Sequence, residues 1–263
     1  MGARQRSSRG VPIATLLAVV LAALTSSSEI EGSGTGSPRD AVEMVVVPRG
    51  EFLMGSNALE ADKDEAPVAK VFVETFWIDK VTVTNGRYRA CVEAGACGLP
   101  IGSAFDQPSR TEHPATVVSW SKADAYCRWA AKRLPTEAEW EKAARGADDG
   151  VYPWGPRFES DRANVAGKGT EPVGSHPSGA SPYGVLDMAG NVFEWTSSLY
   201  KPYPYRSDDG REDPTSHGAR VNRGGSWAHG PWYARVTFRA TANHIYRWNS
   251  DLGFRCASSE PPR

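Results

Sequence analysis

Residues 132–146 of the chain are KRLPTEAEWEKAARG. Proline at 135 disfavours helix before it, so Thr136 stands as an N-cap, and Glu139 three positions later completes a capping box. Trp140, Ala143 and Ala144 recur at helical spacing and supply a buried stripe. Gly146 is the stop, and Lys142 and Arg145 lie where the carbonyl end of the helix dipole favours cations. The TEAE run at 136–139 also looks like paired acid–base residues, but the capping box explains it without chemistry. The same signals mark two helices upstream. One starts at Thr84 and runs through Tyr88, Cys91 and Val92 to Gly95. The other is capped by Ser119 or Ser121, carries Ala123, Tyr126, Cys127 and Ala130, and stops before Pro135.

Outside these helices the pattern is of short strands. Segments 44–47, 52–54, 68–73 and 76–78 are the best candidates, and most of 146–205 reads as ordered loop punctuated by Gly and Pro. An α+β domain with little regular structure is expected, one that needs disulfides or metal ions to hold its loops. The chain has 263 residues and a formal net charge of -1, so no single-sign field exists to attract nucleic acid or anionic membrane. Its 40% apolar content, with 26 glycines, is that of a folded chain, and the glycines and 19 prolines agree with many turns.

At the N-terminus Arg4, Arg6 and Arg9 precede an apolar run over residues 11–24, then TSSS. That is the pattern of a secretory signal peptide over 1–28; the run is about fourteen residues where a spanning helix needs roughly twenty. No Cys follows it, so a lipoprotein anchor is not indicated, and no stable membrane anchor is expected after cleavage. Residues 29–39 read as a flexible linker, 40–258 as one domain and 259–263 as a tail. Export to a periplasmic, envelope or extracellular compartment makes the four cysteines candidates for disulfides, with three possible pairings.

Further motifs occur in order: MVVVP (44–48), GEFLMG (50–55), VTVTN (81–85), VSW (118–120), KRLPTEAEWE (132–141), GNVFEW (190–195), RGGSW (223–227) and LGFRC (252–256). Together they closely resemble the formylglycine-generating enzyme family, also called the sulfatase-modifying factor domain. The resemblance covers nearly all of the mature chain and implies that family's C-type-lectin-like α+β fold. It also implies an activity, oxidation of a sulfatase cysteine to formylglycine with dioxygen and a copper ion held by two enzyme cysteines. In the enzyme type those cysteines lie five positions apart, shortly after Gly-Gly-Ser. Here residues 225–235 are GSWAHGPWYAR, and the matching positions are His229 and Ala234. A linear dithiolate selects soft monovalent copper; one imidazole and one methyl do not reproduce it, so copper is not expected.

The resemblance carries further expectations. Cys127 pairs with Cys256, and Cys91 with Cys97 would then close a local loop. A structural calcium ion is held by Asp187 and Glu194 with the carbonyls of Gly190 and Val192. A second, weaker calcium position matches Asn164 and Val165, with Glu171 as the only substitute for a missing carboxylate. Ser226 matches a serine of the oxygen pocket, and Phe193, Trp227, Trp232 and Tyr233 surround the same cleft. His229 and Ser226 are the candidate catalytic residues, with no partner for His229 visible at a recognisable spacing. Three readings follow: an oxygen-dependent oxidoreductase with a changed metal site, a binding module presenting the cleft to a protein, peptide or glycan, and a regulatory partner in an envelope assembly. The missing thiolates favour a pseudoenzyme that binds.

Overall fold

A computed structural model of the chain describes residues 40–100, 104–147, 150–242 and 250–262. The signal peptide and linker expected over residues 1–39 lie outside them. Among the described residues no helix is long and apolar enough to cross a membrane.

Three helices form where the caps place them. Helix α1 (Asn85–Glu93) starts as the Thr84 hydroxyl accepts from the Arg87 amide at 3.2 Å. Helix α2 (Trp120–Trp129) uses Ser119, not Ser121, as its cap. Helix α3 (Glu137–Arg145) carries the capping box: the Glu139 amide donates to Thr136 Oγ1 at 3.1 Å and the Thr136 amide to Glu139 Oε2 at 2.8 Å. The cations of its last turn do more than face a dipole. Lys142 is buried and donates to the carbonyls of Pro48 and Gly50, and Arg145 to those of Leu53 and Gly55. Glu137 and Glu141, buried on the same helix, pair with Arg239 and Arg223.

The first four strands are β1 (Met44–Val47), β2 (Gly50–Met54), β3 (Ala69–Val73) and β4 (Phe76–Asp79). Strands β2 and β3 pair antiparallel and alternate, with Phe52, Met54, Val71 and Val73 inward. Most of 146–205 is irregular, as expected, but Phe193–Leu199 within it is strand β5, the longest described. Its FEWTSSL sequence lacks apolar alternation because both faces are covered. The polar members find partners inside: Thr196 Oγ1 donates to the Val221 carbonyl at 3.0 Å, and Ser198 Oγ to Glu212 at 2.6 Å. Strands β6 (Arg220–Arg223), β7 (Ala240–Ala242), β8 (Leu252–Gly253) and β9 (Ala257–Ser258) complete the set. They assemble as β1-β4-β9, β2-β3 and β7-β6-β5-β8, with β5 and β8 parallel.

The two larger of three apolar clusters among the described residues pack against these small sheets. One joins Tyr88, Trp120, Tyr126, Trp195 and Phe254 around both disulfides, and the other packs Trp140 and Met188 against β1–β4. The disulfides are the expected pairs, Cys91–Cys97 and Cys127–Cys256. The segment after β5, residues 200–214, alternates exposed with buried positions, and Arg206, Ser207 and Asp208 are exposed. Tyr203, Tyr205 and Arg211 are buried, and the Arg211 guanidinium lies 4.7 Å over the Tyr205 ring.

Candidate functional site

The Arg-Gly-Gly-Ser segment leaves the end of β6 and makes the floor of the site. Arg223 is wholly buried, and its guanidinium donates to the carbonyls of Val236, Thr237 and Phe238 at 2.8–3.0 Å, folding that segment back beneath the strand. Gly225 follows at φ 71°, where a Cβ would lie 2.8 Å from the Tyr233 carbonyl oxygen, so the two arms of the loop touch only because a glycine is there. The loop is then pinned from the other side. The Trp227 amide donates to Asn191 O at 3.0 Å, while Gly167 and Ala166 donate to the carbonyls of Trp227 and His229 at 2.7 and 2.8 Å. Gly190 lets residues 190–191 come that close: at φ 81°, its Cβ would stand 2.4 Å from the Asn164 carbonyl oxygen.

Within this frame Ser226 Oγ lies 2.7 Å from His229 Nδ1 and donates to Asp251 Oδ2 at 2.9 Å; His229 Nδ1 and the same Asp251 oxygen are 3.4 Å apart. Ser226 is fully buried, whereas the His229 side chain is 37% exposed. Asp251 is the partner that sequence spacing does not reveal. It is 25 positions beyond Ser226, and the parallel register of β8 on β5 delivers it, with the Phe193 amide donating to Asp251 O at 2.8 Å.

The aromatic residues divide. Phe193 meets the imidazole edge-on at 5.3 Å, Tyr233 lies 4.8 Å from it, and Phe238 packs on both. Trp232 is 43% exposed and carries the Arg235 guanidinium 4.0 Å over its ring. Trp227 is half-buried, with an indole N–H that is enclosed and lacks a partner among the described residues. Of the two positions matched to copper-binding cysteines, His229 is in the cluster just described. Ala234 is closed off, packed with Tyr152, Ala163 and Ala189. All four cysteines are in disulfides.

Asp187 sits at φ 57° with Oδ2 accepting from the Gly174 amide at 2.7 Å. Burial raises its carboxyl above the ordinary range, with Glu194 adding to the rise. Glu194 takes three donors: Arg255 at both oxygens (2.7 Å each) and Trp140 Nε1 at 2.7 Å. A carboxylate has about four lone-pair directions, so one remains on Glu194 for a further donor or a cation. Among the described residues no three His, Cys, Asp or Glu side chains converge on one metal position. At the weaker position the Asn164 amide nitrogen donates to Gly169 O at 3.0 Å, while the Glu171 carboxylate turns to His176 at 2.8 Å. A cavity of about 300 Å³ lies among Trp154, Arg145, Arg162 and Pro182. It shares no residue with the His229 cluster, and Arg162 there is tied to Glu159 and the Ser178 carbonyl.

Residues 32–260 match the sulfatase-modifying factor enzyme 1-like domain. A Mus musculus protein named inactive C-alpha-formylglycine-generating enzyme 2 is 37% identical, over 82% of this chain and 85% of its own. The formylglycine-generating enzyme of Streptomyces coelicolor is 33% identical, over 91% and 96%. The solved structure of PvdO from Pseudomonas aeruginosa superposes with a TM-score of 0.70 at 28% identity, covering 82% of this chain and 94% of that one. With motifs, fold and relatives in agreement, the chain belongs to the sulfatase-modifying factor enzyme 1-like domain family.

Proposed function

We propose that this protein is a binding or accessory member of its family, which uses the cleft at His229 to hold a protein, peptide or glycan ligand and does not perform the copper-dependent oxidation. The observation that carries this reading is the state of the sulfur. Every cysteine is consumed in a disulfide, and the second matched copper position is a buried alanine methyl. Copper(I) selectivity rests on soft thiolate ligands, and a lone imidazole does not replace them. Similarity to a relative named as inactive supports the same reading. The test is competition for copper(I) between the purified mature protein and a chromophoric chelator. No tight site is expected in the wild type, and His229→Cys with Ala234→Cys is expected to gain one; tight stoichiometric binding by the wild type would contradict the proposal.

Export belongs to the same reading, since the basic and apolar N-terminal pattern and both disulfides suit an oxidising compartment. We propose in addition that Asp187, Glu194 and the carbonyls of Gly190 and Val192 hold calcium. The ion would neutralise the buried Asp187 carboxylate and stiffen the turn leading into β5. Chelation is then expected to lower the unfolding temperature of the wild type and to leave Asp187→Ala nearly unchanged; equal shifts in both proteins would remove the ion from the account.

A further inference from the structure

The Ser226–His229–Asp251 cluster is not a nucleophilic triad. In a triad the carboxylate holds one imidazole nitrogen while the other takes the serine proton. Here Ser226 and Asp251 both approach Nδ1, and Ser226 is buried beneath the ring. Counting hydrogens gives the cluster a different meaning. The Asp251 carboxylate accepts only, so the 2.9 Å contact uses the single hydroxyl hydrogen of Ser226. The 2.7 Å contact to His229 must then use a hydrogen on Nδ1, or two lone pairs would face each other at that distance. A neutral imidazole with hydrogen on Nδ1 has a bare lone pair on Nε2. Among the described residues no hydrogen bond reaches Nε2, and the ring is partly exposed between Phe193 and Tyr233.

We propose that His229 Nε2 is a fixed proton acceptor, taking a ligand by a hydroxyl, thiol or ammonium X–H group, with Asp251 as the positioning residue that sets the tautomer through Ser226. This deepens the binding reading and rests on the cleft being the ligand site. On full transfer the X–H bond breaks, X keeps the electron pair, and the proton joins Nε2. The imidazolium charge is held by Nδ1–H toward Ser226 and by the Asp251 carboxylate at 3.4 Å. Nothing is oxidised. A ligand offering only a carbonyl or carboxylate at this point meets lone pair against lone pair and is disfavoured.

The test uses ligand-free, ¹⁵N-labelled mature protein, so it stands apart from the copper experiment. Long-range ¹H–¹⁵N correlation above the imidazole titration reads the tautomer, with His229→Gln assigning the signals. Histidine side chains in water favour hydrogen on Nε2; His229 is expected to show the reverse. Asp251→Ala, which leaves no acceptor for the Ser226 hydroxyl and frees it to donate to Nδ1, is expected to return the ring to the solution preference and to slow acylation of Nε2 by diethyl pyrocarbonate about tenfold, the worth of one charge-assisted hydrogen bond. Ser226→Ala is expected to keep the wild-type tautomer, because the carboxylate is close enough to take Nδ1–H directly. Hydrogen on Nε2 in the wild type would overturn the proposal, whether or not Asp251→Ala folds. An unchanged tautomer in folded Asp251→Ala would overturn the role of Asp251.

Discussion

At Asp40, a buried carboxylate near the start of the domain is held by two cations. Arg87 grips both of its oxygens at 2.7 Å and Lys132 reaches Oδ2 at 2.9 Å, while Asp79 shares both partners from the other side. Burial alone would raise the Asp40 carboxyl, but Arg87 and Lys132 overcome it and hold the group at about 2. A carboxyl whose folded pKa is depressed stabilises the fold above its unfolded pKa, near 4, and loses that contribution as pH falls through the folded value. Asp40→Asn is therefore expected to cost about 2 kcal/mol at pH 6. The difference from wild type should shrink between about pH 4 and pH 2 in urea unfolding measured at each pH. A constant difference across that range would mean the charge at Asp40 is not what matters.

At the scale of elements, helices were legible and the buried strand was not. Capping is local chemistry, so Thr84, Ser119 and Thr136 announce their helices by side-chain type and position. Thr136→Ala removes the acceptor for the Glu139 amide and is expected to cost about 1 kcal/mol, read as a lower urea midpoint with unchanged slope. An effect under about 0.3 kcal/mol would show that packing of Trp140, not the cap, sets where α3 begins. Strand β5 gives no such signal, because Glu194, Thr196 and Ser198 look solvent-facing until Arg255, Val221 and Glu212 are folded against them. The site has the same asymmetry. Ser226 and His229 stand in one loop and could be singled out from sequence; Asp251 joins them only through the β5–β8 pairing. Motif resemblance supplied the matched positions, but spacing along the chain could not show that Ala234 is enclosed and His229 is presented.

At the scale of the molecule, the three small sheets and three α-helices of the described residues leave much of them in loops, tied by cross-links and buried ion pairs. Cys127–Cys256 joins α2 to the segment between β8 and β9 across 129 positions, and closing so long a loop contributes about 5 kcal/mol in the chain-entropy model. Arg255 beside that cysteine pairs with Glu194 and reaches the carbonyls of Asp79, Lys80 and Leu186, so β4, β5 and the 186–194 turn share one anchor. The same cross-links that hold the scaffold occupy all four thiols, and the proposed lack of copper chemistry rests on that. Mass spectrometry of a cysteine-containing sulfatase-motif peptide, incubated with mature protein, copper and reductant, tests this most directly. The peptide is expected to keep its cysteine at the rate of a control without protein; the mass loss that marks formylglycine, appearing faster than in that control, would contradict the account.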